Sequence, residues 1–246
     1  MTELILTSHS GLNFGPKESI FFNSLRKYYI GDVFVFTNNQ PDNLFIEKSK
    51  QYNYHIVPYP CIIHYCVDRF FYWERFLKET EYKPNKIFMI DLVDTFWQKN
   101  PFDFHGNLEF SMESIQLKDC PINKDWLVQL LGKNMGENFI EKLKNDYVSC
   151  AGAIRGKYDH ILEYLKFMTD RLKGVTSNLD QAVHNCYYHA LVDKESFESD
   201  ELCTVGYQKN FEFDSFGNLL KRGNVVTCVH QYIHHEVLNL IAKKYE

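Results

Sequence analysis

The sequence predicts an α/β fold in one domain, with a mostly parallel sheet buried on both faces. Three observations carry this: unbroken apolar runs of strand length, stretches of helical apolar spacing between them, and turn formers where the runs stop. A chain of 246 residues that is 45% apolar can bury one large core, and 12 Gly with 7 Pro leave little room for disordered linkers.

Leu4-Ile5-Leu6-Thr7 reads as the first strand and runs into Ser8-His9-Ser10-Gly11. Glu18 to Tyr29 follows as a helix, with spacing set by Ile20, Phe21, Ser24 and Tyr28. Asp32 to Thr37 has the β-branched and aromatic composition of a strand, and Asn38-Asn39-Gln40-Pro41 ends it. His55 to Pro58 is a third strand, Val67 to Thr80 a helix, and Lys86 to Ile90 a fourth strand. In the second half, strands are expected at Leu108 to Met112 and Val148 to Ile154, with one helical stretch across Trp126 to Leu131 and Phe139 to Leu143. Asp159 to Leu172 reads as a helix on Ile161, Leu162, Leu165 and Met168. Asn178 to Ala190 is another, with Ser177 or Asn178 as its cap. Val225 to Val229 is a last strand and Glu236 to Lys244 a short helix.

A formal charge of −5 argues against a nucleic-acid surface, which needs clustered Lys and Arg to displace counterions. Aromatics at 16% fit a thick core or an aromatic-lined groove. The seven cysteines are scattered without CxxC pairs, as reduced thiols in a cytoplasmic protein would be. The opening residues lack the basic and long apolar regions of a signal peptide. No apolar run approaches the ~18 residues that span a bilayer. Peripheral association with a membrane is left open.

Ligands in open α/β sheets bind beyond the carboxyl ends of the strands. Asp91 and Asp94 stand there, directly after the fourth apolar run. An Asp-x-x-Asp taken alone is ordinary on a surface, but two carboxylates on a rigid support suit Mg²⁺ or Mn²⁺ with open coordination positions. The stretch from Lys86 through Asp91-Leu92-Val93-Asp94-Thr95-Phe96-Trp97 to Asn100-Pro101-Phe102 resembles the metal-binding segment of glycosyltransferases with the GT-A fold, in which an apolar strand leads into an Asp-x-Asp type motif. Asp91 stands one residue further upstream than the strict spacing. Cys150-Ala151-Gly152-Ala153 and Ser177-Asn178-Leu179-Asp180-Gln181 are similar to segments that line the donor sugar and acceptor pocket in that superfamily. Val229-His230-Gln231-Tyr232 resembles a segment of one bacterial and viral branch, whose usual following Asp-Arg is here Ile233-His234.

The resemblance implies one Rossmann-like GT-A domain over 1–246, with about 1–100 as the nucleotide-binding half and 101–246 as the acceptor-binding half. It also implies transfer of a sugar from a nucleotide diphosphate, a UDP-sugar before a GDP-sugar, to a glycan or glycolipid. Asp91, Asp94 and His230 are the expected ligands of Mn²⁺ or Mg²⁺, although a histidine after a strand is often only a hydrogen-bonded structural residue. Asp180 and Gln181 stand at a helix start and are either catalytic or a plain cap. Asp180 or Glu113 is the general base if the transfer inverts configuration, and the Asp180-Gln181 pattern favours retention. Arg69 either clamps the donor diphosphate or pairs with Asp68 or Glu74 on the surface. Thr7, Ser8, His9 and Asn38 are candidates for the base and ribose. Two rivals remain. A phosphatase of the haloacid dehalogenase type has a superficially similar acidic motif, but with other spacing and after its first strand. A nonenzymatic carbohydrate or nucleotide-binding module has only the aromatic richness in its favour.

Overall fold

Neighbouring residues of the apolar runs point to opposite faces of one sheet, and helices cover both faces. The computed structural model describes residues 2–10, 13–81, 83–191 and 193–246; Gly11, expected at the end of the first loop, lies outside them. The first half runs β1 (Glu3–His9), α1 (Pro16–Arg26), β2 (Asp32–Thr37), α2 (Asn43–Gln51), β3 (Tyr54–Pro58), α3 (Tyr65–Glu79) and β4 (Lys86–Asp91). Leu4, Leu6, Ile87 and Met89 pack with Phe70, Trp73 and Leu77 of α3 on one side. Ile5, Val33, Phe88 and Ile90 pack with Phe21, Phe22 and Leu25 of α1 on the other. Each fully buried side chain of this kind contributes roughly 1.5–3 kcal/mol, which is why these strands read as continuous apolar runs.

The second half adds β5 (Thr95–Trp97), β6 (Leu108–Gln116), α4 (Pro121–Leu131), α5 (Lys133–Leu143), β7 (Tyr147–Lys157), α6 (Tyr158–Leu172), α7 (Asp180–Ala190) and β8 (Glu198–Thr204). It closes with β9 (Glu212–Phe213), β10 (Leu219–Lys221), β11 (Asn224–Val225), β12 (Cys228–His230) and α8 (Glu236–Ala242). The main sheet has the order β3-β2-β1-β4-β7-β6-β8-β12-β5. Its pairings are parallel except β4 with β7, β7 with β6, and β12 with β5. The sheet is therefore large, mixed and mostly parallel, an α/β arrangement of Rossmann-like kind. Because β4, β6, β8 and β12 run in one direction, their carboxyl ends meet at one edge. Among the described residues no helix is long and apolar enough to cross a membrane.

Several expected elements differ in extent. The first helix starts at Pro16, where the Glu18 carboxylate accepts the Gly15 N–H at 2.9 Å. It ends at Arg26 because the Tyr28 and Tyr29 N–H groups both turn back to the Leu25 carbonyl. Gly132, with φ of +80°, breaks the middle helical stretch into α4 and α5. The expected strand Val225 to Val229 is two strands in different sheets. Between them the Gln98 amide bonds the Leu219 and Val226 carbonyls and the Leu219 N–H, which binds the small β9-β10-β11 sheet to the end of β5. Leu179, rather than Ser177 or Asn178, holds the cap position of α7, and no side chain caps it.

Candidate metal centre

Asp91 is the last residue of β4, and Asp94 lies in the turn that leads into β5. β5 pairs with β12 antiparallel, with Thr95 opposite His230, so the ladder itself brings His230 beside the acidic turn. His230 Nε2 lies 3.5 Å from Asp91 Oδ2 and 3.4 Å from Asp94 Oδ1 without the alignment a hydrogen bond needs. One ligand atom from each of the three residues falls within 4.8 Å of the others. On its far side the ring has Thr204 Oγ1 at 3.2 Å and Cys150 Sγ at 3.6 Å from Nδ1. A neutral imidazole that donates from Nδ1 to Thr204 presents its Nε2 lone pair to the carboxylates, the orientation a ligating histidine takes.

Arg69 packs behind Asp91. It is 2% exposed, and its guanidinium donates to Asp91 Oδ1, to Asp180 Oδ2 at 3.3 Å and to the Cys66 carbonyl at 3.1 Å. All three of its nitrogens are thus engaged inside the protein, and the expected pairing with Asp68 or Glu74 is replaced by this one. Asp68 instead accepts the Ile62 and Ile63 N–H groups at 2.7 and 3.0 Å. Burial opposes charge on Asp91, but the Arg69 guanidinium and the His230 ring outweigh it and hold the carboxyl below its usual range. Burial raises Asp180, Arg69 works against that, and the charge on Asp91 adds to the rise. Burial likewise disfavours an imidazolium at His230, yet Asp94, Cys150 and Asp91 together push its pKa well above the ordinary value, so a cation at Nε2 would take the place of a proton there. Two carboxylates, Asp91 and Asp180, share one guanidinium here. The donor set of two carboxylates and an imidazole nitrogen with no hydrogen bond fits a divalent cation chemically.

Two cavities flank the cluster. One of about 450 Å³ is lined by Asp91, Gly152, Asp180, His230 and Glu113. The other, about 280 Å³, is lined by Ser8, Ser10, Asp91 and Asp94. A further cavity of about 740 Å³ lies away from this chemistry between α2 and β3, and Asn38 just after β2 is part of its wall. Neither known protein families nor curated proteins match this chain.

The remaining sequence candidates divide by where they point. Glu113 lines the 450 Å³ cleft with Oε2 unpartnered, and burial pushes its carboxyl up to about 7 against the opposing charge of His230. Gln181 also reaches that cleft, but both amide atoms are taken by β7, at the Ala151 N–H and the Ser149 carbonyl. Its role is to fix α7 against the strand. Thr7 is fully buried with its hydroxyl unpartnered, and His9 is 3% exposed, stacked on Phe45 and 3.7 Å from Glu18. Both face the interior rather than the cavities beside the acids, because β1 is central to a sheet covered on both sides. Thr204, beside His230, and Tyr207, on the cleft wall, carry no motif in the sequence. Thr204 stands on a strand whose start, Glu198-Ser199-Asp200-Glu201, carries no apolar signal.

Proposed function

We propose that this protein is a metal-dependent glycosyltransferase of the GT-A kind, moving a sugar from a nucleotide diphosphate donor, UDP-linked in preference, to a glycan or glycolipid. The observation that carries the reading is the convergence of Asp91, Asp94 and His230 at the carboxyl ends of β4 and β12, between two cavities. The order β3-β2-β1-β4 with helices on both faces suits a nucleotide ligand at that edge. Mn²⁺ or Mg²⁺ held by these three side chains would neutralise charge on a departing diphosphate. Ser8 borders the smaller cavity and would hydrogen-bond the nucleotide there, whereas Asn38 lines the separate cavity between α2 and β3 and has no part in it. Arg69 keeps Asp91 ionised and directed at the centre.

On the other side, Asp180 and Glu113 face the cleft where sugar and acceptor would meet. Asp180 is tied to Arg69, so Glu113, unpartnered and with its pKa at about 7, is the better general base for an inverting transfer. The Asp180-Gln181 pattern favours retention, which needs no such base; the anomeric configuration of the product decides between them.

The test is calorimetry with Mn²⁺ and UDP, joined to hydrolysis of UDP-sugars. A transferase binds UDP only with metal and slowly releases UDP, a phosphatase releases inorganic phosphate, and a binding module releases neither. Asp94→Ala is expected to abolish metal-dependent UDP binding and turnover in a folded chain. Full activity in that variant would overturn the proposal.

A further inference from the structure

We infer that the cleft between Glu113, Asn123 and Asn178 is built to hold an uncharged, hydroxyl-rich ring, a neutral sugar unit, rather than an acceptor that is itself an anion. The inference deepens the transferase reading and rests on it for the ring's role as acceptor.

Among the described residues, four buried side-chain atoms that lack a hydrogen-bond partner belong to residues lining this one cavity of about 450 Å³. His230 Nε2 is one and faces the carboxylates of the metal centre. The others are Glu113 Oε2, Asn123 Oδ1 and Asn178 Oδ1. Glu113 is 6% exposed and Asn123 3%. The Asn123 amide nitrogen is already used, donating to Cys120 Sγ at 3.2 Å, which leaves the oxygen for a ligand. Asn178 stands where a helix cap is expected, yet no side chain caps α7 and its oxygen is without a partner.

An amide oxygen can only accept a hydrogen bond, and leaving it buried and unpaired carries a desolvation penalty. A ligand that satisfies the two amide oxygens must bring donors, and one that also meets the Glu113 carboxyl must offer a group that can both donate and accept, as a hydroxyl does. Hydroxyls on a ring do so without adding charge. A phosphate or carboxylate brings none and would sit among these oxygens beside Asp91 and Asp180. The walls fit the same class: Trp126 is half-buried and Tyr207 is 40% exposed, and both border the cleft, where aromatic side chains suit the C–H surface of a sugar ring.

Trp126 also supplies the readout, since Trp73 and Trp97, the other two tryptophans, are buried away from the cleft. The full chain, with Mn²⁺ and UDP present, is titrated with methyl glucoside, galactoside and mannoside, and separately with glucuronate, glucose 6-phosphate and spermidine. At least one neutral glycoside is expected to give a saturable change in tryptophan emission that is lost in Trp126→Phe. Asn123→Leu and Asn178→Leu should each weaken it about tenfold, with circular dichroism confirming the fold. The inference is overturned if no glycoside binds, if an anion or spermidine binds more tightly, or if both leucine variants bind as the wild type does. UDP binding with Mn²⁺ and donor hydrolysis that persist without glycoside binding would sink this inference alone. Glycoside binding without either of them would sink the transferase reading and leave the sugar cleft standing.

Discussion

Gly152 leaves the space in which the His230 imidazole meets the Asp91 carboxylate. A Cβ on Gly152 would press on His230 Cε1 and lie 2.6 Å from Asp91 Oδ2 and 2.8 Å from His230 Nε2. Size, not backbone freedom, excludes a side chain there. Gly152→Ala is therefore expected to push ring and carboxylate apart, weakening Mn²⁺ binding by about 10- to 100-fold and costing about 1–3 kcal/mol through overpacking. Calorimetric titration of Mn²⁺ beside a urea melt measures both. An unchanged affinity would mean that Asp91 and His230 do not share an ion.

Arg69 is the buried counter-charge shared by the half-buried Asp91 and the buried Asp180. Removing one partner of a buried ion pair leaves uncompensated charge and costs about 3–5 kcal/mol. Arg69→Met should lower the urea midpoint accordingly, and adding Asp180→Asn should recover part of the loss, because one of the two stranded carboxylates is then neutral. If the two substitutions simply add, Arg69 and Asp180 are not coupled.

Much of this centre is legible in the sequence because it sits on the strongest periodic signal. Lys86 to Ile90 is a continuous apolar strand, and whatever follows it must emerge at the carboxyl edge, which singles out Asp91 and Asp94. His230 is legible for the same reason, although its strand is three residues long and the expected run from Val225 was cut by the Gln98 amide, a contact with residues far along the chain. Arg69 could be placed near the centre but not oriented, since two acids 111 and 22 residues away decide where its guanidinium turns. The Asp42 cap of α2, which accepts the Phe45 N–H at 2.6 Å, was a readable signal that Asn38-Asn39-Gln40-Pro41 obscured. β8 could not be read from its polar opening. Its identity comes from the neighbours it pairs with, β6 and β12.

Glu113 makes stability fall as pH rises from about 4.5 to about 7. Its folded pKa of about 7 stands above the ordinary 4.5, so the folded state holds the proton more tightly than the unfolded one. The contribution is fully present below pH ~4.5 and is lost as pH rises through ~7. A shift of this size corresponds to roughly 3 kcal/mol. Glu113→Gln removes the ionisable group, so the variant should gain on the wild type between pH 5 and 8 and match its trend below ~4.5. Urea melts at these pH values decide it, and parallel curves for the two proteins would show that Glu113 is not buried as a neutral acid.

His184 sets the acid limb, with the opposite sign. Its ring is fully buried, with Nδ1 2.9 Å from the Tyr164 hydroxyl and Nε2 2.9 Å from Ser149 Oγ, so both nitrogens have a partner but neither partner carries a negative charge to offset a second proton. Burial, reinforced by the positive charge of neighbouring His189 and Arg69, pushes its pKa down to about 3 from 6.5. The unfolded chain therefore takes up a proton first as the solution is acidified. The stabilisation stands in full above pH ~6.5 and drains away as pH falls towards ~3, an effect on the order of 5 kcal/mol. His189, lowered to about 4 by burial and by Lys194 against the pull of Asp146, adds a second loss over nearly the same window. His184→Gln keeps a donor and an acceptor for Tyr164 and Ser149 but cannot titrate. Its stability should lie below the wild type at pH 7 and fall less steeply between pH 6.5 and 4, leaving the part of the slope that belongs to His189. An acid limb as steep in the variant as in the wild type would assign the loss to other groups.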